Sequence, residues 1–273
     1  MGYFELKDGH RLFYNDIGSG ETVVMLHGWA SSSDVFKRPA ELLEGKARII
    51  TYDHRGHYGS KQAAVPNMTL QLLSEDLNEL ICGLGLENVI LLGWSMGAET
   101  ALSYIGKYGT RRLRQLVLCD MSPKLRNDEN WQLGMSLGQQ YTNLSLENRS
   151  FEQLFDYFKD FLLKSKPELV SRGEGFIDQY IEQKRELCVW EALRCLALSL
   201  QEFDSREAVG RLNVPLTYFY AVPGSIFSPE LDEWYRQQTK APYKSVAFLN
   251  STHDLIREHP EQFAREIELL LEP

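Results

Sequence analysis

The 273 residues are 43% hydrophobic and 11% aromatic, enough to bury a sizeable core, and both one domain with an insertion and two domains are open. A formal net charge of −9 makes the electrostatic term toward nucleic acid or an anionic membrane surface repulsive, which argues against either as the main partner. Met1-Gly2-Tyr3-Phe4-Glu5 lacks the basic and long apolar regions of a signal peptide, and no stretch is long enough to span a bilayer, so a cytoplasmic location is expected.

Residues 3–26 read as a β-meander: Tyr3 to Leu6, a Lys7-Asp8-Gly9 turn, Arg11 to Asp16, a Gly18-Ser19-Gly20 turn, then Thr22 to Leu26. The last run is apolar almost throughout and predicts a strand buried on both faces. It ends in His27-Gly28-Trp29, where Gly28 lets the backbone pass close to another segment and the N–H of Trp29 is a candidate oxyanion donor. His27 reads as a hydrogen-bonded structural residue rather than a base. Phe36 to Leu43 predicts a short helix and Ala47 to Tyr52 a second buried strand, followed by the polar loop Asp53-His54-Arg55-Gly56-His57-Tyr58-Gly59-Ser60. Asp53 and Arg55 are expected to hold that loop by charge-assisted hydrogen bonds. Thr69 to Gly85 is a helix, with Leu70, Leu73, Leu77, Leu80 and Ile81 on one face.

Val89 to Leu92 is an apolar strand that runs directly into Gly93-Trp94-Ser95-Met96-Gly97, and Ala98 to Tyr108 has helical composition. A serine at the apex of a strained strand-to-helix turn needs neighbours without Cβ atoms, which Gly93 and Gly97 supply. The turn presents the Ser95 hydroxyl outward and sets the N–H of Met96 at a helix start, where a developing oxyanion would be stabilised.

Arg111 to Cys119 predicts the next strand, with Asp120-Met121-Ser122-Pro123 at its end. Strand and helix alternation then stops. Phe151, Leu154, Phe155, Phe158 and Leu162 fall on one helical face, and Leu187 to Leu200 is apolar on more than one side, as for a helix between a core and a lid. Alternation resumes with a strand from Val214 to Tyr220, a helix from about Pro229 to Gln238, a short strand from Ser245 to Leu249 and a closing helix from Pro260 to Leu271. His253 stands just past that last strand. Cys82, Cys119, Cys188 and Cys195 show neither a C-x-x-C pair nor metal-ligand spacing and read as buried thiols. Cys188 and Cys195, on one predicted helix, are about 10 Å apart and too distant for a disulfide.

His27-Gly28-Trp29, Asp53-x-Arg55-Gly56, Gly93-x-Ser95-x-Gly97 and the late His253 with Glu258-His259-Pro260, in that order, resemble the α/β-hydrolase superfamily across the whole chain except the insert. The resemblance implies an α/β fold with a mostly parallel eight-stranded sheet and a helical cap after strand six. The core would be residues 1–122 and 212–273, and the cap 123–211. It also implies that Ser95 is the nucleophile and His253 the base, that the N–H groups of Trp29 and Met96 form the oxyanion hole, and that His27, Gly28, Gly93 and Gly97 support them.

The acid of the triad departs from the common pattern, since Ala221 to Phe227, after the seventh strand, holds no carboxylate. Asp120 resembles the position used by a subset of these esterases and is favoured, with Glu230 and Asp232 in reserve. Capping the chain reversal at Ser122-Pro123 is the competing role for Asp120. Relatives commonly read Asp-x-Arg-Gly-x-Gly-x-Ser in the Asp53 loop, whereas Tyr58 stands here at the second glycine position.

A serine esterase is the expected function, acting on a small-molecule ester with a small to medium apolar group and without a metal or organic cofactor. An epoxide hydrolase or haloalkane dehalogenase would need aspartate where Ser95 stands. Perhydrolase (haloperoxidase-like), lactonase and carbon-carbon bond hydrolase activities share the triad, and a slow-turnover small-molecule receptor would keep the pocket.

Overall fold

Thr22 to Leu26 and Val89 to Trp94 have almost no polar face, and a strand of that kind is stable only when both faces are covered. The computed structural model, which describes residues 1–135 and 174–272 together with Gln153 and Lys159, places them at the centre of an eight-stranded sheet. The strands are β1 (Gly2–Glu5), β2 (Arg11–Gly18), β3 (Thr22–Leu26), β4 (Arg48–Tyr52), β5 (Val89–Trp94), β6 (Leu113–Cys119), β7 (Leu216–Gly224) and β8 (Tyr243–Thr252). Their order is β1-β2-β4-β3-β5-β6-β7-β8, antiparallel at β1/β2 and β2/β4 and parallel elsewhere. The α/β class and the mostly parallel sheet are therefore as expected.

The N-terminal meander is not. β2 pairs with β4 instead of β3. With every residue buried, β3 takes an interior place between two parallel neighbours, and β2, half of it exposed, is left nearer the edge.

Alternation along the strands divides the core. Val24, Leu26, Val89 and Leu91 face one layer, packed by α2 (Leu70–Gly83) and α3 (Met96–Tyr108). Val23, Met25, Ile90 and Leu92 face the other, packed by α1 (Lys37–Leu42) and, at the C-terminus, α9 (Pro260–Leu271). Each fully buried Val, Ile or Leu of these layers contributes about 1.5–3 kcal/mol relative to exposure. Thr69 caps α2 by accepting from the N–H of Leu72 at 3.1 Å.

Between β6 and α9 the described helices are α4 (Glu174–Leu187), α5 (Trp190–Glu202), α6 (Arg206–Gly210), α7 (Leu231–Gln238) and α8 (Leu255–Glu258). The predicted helix from Leu187 to Leu200 is corrected here: α4 ends at Leu187, and Cys188 and Val189 leave the helix to meet the Asp53 loop. Cys188 forms a β-bridge with His57, and the N–H of Val189 donates to the carbonyl of Gly56 at 2.7 Å. Cys188 thus precedes α5 instead of sharing a helix with Cys195. The thiols are free, but the expectation that all four are buried holds only for Cys119 and Cys188: Cys82 is exposed on α2, and Cys195 on α5 is half-buried against the core. The predicted stripe Phe151, Leu154, Phe155, Phe158 and Leu162 lies outside the described residues. Among the described residues no helix is long and apolar enough to cross a membrane.

Candidate active site

Ser95 follows β5 directly and opens α3 with φ 53° and ψ −122°, a conformation costing an L-residue on the order of 1–3 kcal/mol. Crowding explains both glycines of the turn. A Cβ on Gly93 would strike the Gly97 carbonyl, and one on Gly97 would strike the Leu26 carbonyl. The N–H of Ser95 donates to Cys119 of the neighbouring strand at 3.1 Å, which fixes the elbow to β6. Met96 is the first residue of α3, so its N–H is among those the helix leaves without an internal acceptor.

Asp120 and His253 come from strands far apart in sequence. Each follows its strand at the same edge of the sheet, β6 for Asp120 and β8 for His253. The Asp120 carboxylate is wholly buried, and its Oδ2 lies 2.7 Å from Nδ1 of His253. A carboxylate only accepts, so Nδ1 carries the proton and Nε2 is left as the basic nitrogen. The N–H of Ala221 donates to Asp120 Oδ1 at 3.2 Å, and the N–H of Asp120 donates to Phe219 at 2.7 Å. Glu230, the first reserve, is exposed, and the hydroxyl of Tyr243 donates to Asp232 Oδ1 at 2.6 Å, so neither is the partner of His253.

Two contacts not foreseen from the sequence hold His253. The indole N–H of Trp94, the neighbour of Ser95, donates to the His253 carbonyl at 2.8 Å and ties the histidine loop to the elbow. Glu258 accepts from the Ser251 hydroxyl at 2.8 Å, the Thr252 N–H at 2.7 Å and the Thr252 hydroxyl at 2.6 Å, closing the turn that carries the imidazole.

The loop after β3 packs on the elbow. A Cβ on Gly28 would stand 3.1 Å from Ser95 Cβ and 3.1 Å from the Trp94 ring, so a larger residue here would press on the elbow. Ala30 follows at φ 52°, left-handed for a non-glycine residue. The clamps on this turn are side chains of the Asp53 loop. His57 Nε2 accepts from the Ala30 N–H at 3.3 Å, and Asp53 accepts from the N–H groups of Ser33 at 2.7 Å and Gly59 at 2.9 Å. Burial raises the pKa of Asp53 against the pull of those hydrogen bonds. Arg55 holds the loop from below through a bidentate pair with Asp76 at 2.6 and 2.8 Å and an ion pair with Asp8 at 2.7 Å.

His27 is structural in its contacts: Nδ1 lies 2.8 Å from the Gly28 carbonyl, and Nε2 accepts from the His54 N–H at 2.9 Å. His27, His54 and His57 are all fully buried. Burial drives His57 down to about 4 and His54 down to about 3, and lowers His27 well below the usual range, so all three are neutral at pH 7. The polar loop between Asp53 and Ser60 held a signal for this, but sequence does not tell a bracket from a ligand. Tyr58, at φ 42°, accepts from the Lys184 ammonium at 2.9 Å and so joins the same loop to α4.

A family model for the alpha/beta hydrolase fold matches residues 21–162, just over half of the chain. Over 127 residues the chain is 34% identical to the non-heme chloroperoxidase CPO-A1 of Kitasatospora aureofaciens, covering 45% of this chain and 46% of that enzyme, so the match spans less than half of the relative. Over 256 residues it is 24% identical to the pimeloyl-[acyl-carrier protein] methyl ester esterase of Chromobacterium violaceum, covering 94% of this chain and 96% of that one. An esterase structure from Exiguobacterium antarcticum superposes with a TM-score of 0.78 at 24% identity over the full length of both chains. With sheet order, elbow and family model in agreement, the chain belongs to the alpha/beta-hydrolase fold family.

Proposed function

We propose that this alpha/beta hydrolase is a serine esterase that cleaves carboxylic esters through an acyl-enzyme. The observation that carries the reading is the 2.7 Å contact of buried Asp120 with Nδ1 of His253, whose loop is tied by the Trp94 indole to the strained elbow that holds Ser95. Ser95 attacks the ester carbonyl while His253 Nε2 takes its proton, and the developing oxyanion is met by the N–H groups of Met96 and Trp29. Each such donor is worth on the order of 3 kcal/mol in the transition state. His253 returns the proton to the leaving alcohol, then repeats the cycle with water. Asp120 holds the tautomer and stabilises the imidazolium.

Residues 123–211 would form the cap over this site. Support for an apolar acyl or alcohol group comes from the Phe227 ring, 6.1 Å from the His253 ring, and from the part-buried Trp29.

Similarity to a chloroperoxidase favours one further reading, in which hydrogen peroxide replaces water as acceptor of the acyl group and a peracid leaves. One set of assays tests both. Hydrolysis of p-nitrophenyl acetate and butyrate is expected for the wild type and loss of it in Ser95→Ala, with a fluorophosphonate adding one mass equivalent at Ser95. No hydrolysis and no labelling would reject the esterase. Peracid formation from acetate and peroxide faster than ester hydrolysis would replace it with the perhydrolase.

A further inference from the structure

The turn that carries the proposed oxyanion donor Trp29 is strained at Ala30, so something must hold it. His57 holds one side, by accepting from the Ala30 N–H. The other side is held from outside the sheet: the indole Nε1–H of Trp29 donates to the main-chain carbonyl of Leu193, inside α5, at 2.8 Å. Leu193 is 4% exposed and clusters with Ala30 and Cys188, with Trp29, Tyr58 and Trp190 packed around them. α5 does not float. Its start is pinned where Val189 donates to Gly56, and further along the Ser199 hydroxyl accepts from the Leu70 N–H at 3.0 Å. The indole acceptor is therefore a backbone atom on a helix anchored at two points to the core.

We propose that the indole N–H of Trp29 is a positioning group for the oxyanion hole, with the Leu193 carbonyl of α5 as its fixed anchor. The residue works at both ends: its main-chain N–H meets the oxyanion, and its side chain keeps that N–H on target. The inference rests on the esterase reading. It makes α5 part of the catalytic device and not only a cover, because a shift of the helix carries the donor with it.

Trp29→Phe keeps most of the ring and removes the N–H. Losing an oxyanion donor outright costs roughly 10²–10³ in kcat, so loosening one is expected to cost roughly 10-fold to 30-fold in kcat with KM changed by less than about 3-fold. Val189→Pro, which removes the N–H that anchors the start of α5 and touches no proposed catalytic group, is expected to lower kcat in the same direction by roughly 3-fold. It also carries the test if Trp29→Phe does not fold. Unchanged kcat in the folded variants overturns the proposal, as does a rise in KM alone, since the ring would then merely line the acyl site. The two readings fail separately: an active wild type silenced by Ser95→Ala but indifferent to Trp29→Phe removes this inference and leaves the esterase standing, whereas an inactive wild type removes the esterase itself.

Discussion

Asp120 and His253 are 133 residues apart in the chain, and Oδ2 of the first lies 2.7 Å from Nδ1 of the second. Both side chains follow strand ends at one edge of the sheet, so the rigidity of β6 and β8 sets their distance. A loop-borne acid would have to be ordered separately.

Replacing Asp120 with Asn keeps its shape but favours the wrong imidazole tautomer. The expected loss is roughly 10³-fold to 10⁴-fold in kcat, with Asp232→Asn within about 2-fold of the wild type. Steady-state kinetics on p-nitrophenyl butyrate decide it, and near-normal Asp120→Asn activity would reject the assigned acid.

The buried imidazoles predict acid sensitivity. In the unfolded chain each titrates near 6.5, while in the fold His57 and His54 stay neutral until about 4 and 3. Between those values the unfolded state binds more protons, so stability is full above 6.5 and falls as the pH drops, by about 1.4 kcal/mol per pH unit for each ring. Urea midpoints at pH 7.5, 6.5, 5.5 and 5.0 should decline accordingly, and His57→Gln should flatten the slope. Midpoints constant down to pH 5 would contradict the assignment.

At Gly97 a methyl group would collide with the Leu26 carbonyl, on a strand paired on both sides and unable to retreat. Gly97→Ala is expected to cost about 3 kcal/mol of stability, with activity lost along with the elbow. Denaturant unfolding that places this variant within experimental error of the wild type would argue against a crowded turn.

Arg55 is 2% exposed and has three short carboxylate contacts, two from the buried Asp76 of α2 and one from the half-exposed Asp8. Removing Asp76 leaves a buried guanidinium with Asp8 as its remaining carboxylate and the Ala63 carbonyl as a neutral acceptor. Asp76→Ala should destabilise by about 3 kcal/mol, the lower end for a broken buried pair, and Asp8→Ala by much less. Equal effects from the two would show that the buried contact is not the stronger one.

The sequence by itself determined what depends on near neighbours. The apolar runs of β3 and β5 had to become interior strands, the spacing of leucines in α2 had to become one helical face, and Gly93 and Gly97 had to bracket a serine in a cramped turn, because each follows from sterics or periodicity over a few residues. Pro260 likewise starts α9, where a missing N–H costs nothing. Only the tertiary structure decided which strand β2 would join, where the Leu187 to Leu200 stretch would break, which carboxylate would stand beside His253, and that Trp29 would reach α5. Each of these is a choice among partners of similar local merit. The choice is settled by what must be covered and which hydrogen bonds the assembled sheet leaves to be made, quantities that do not exist until distant segments meet.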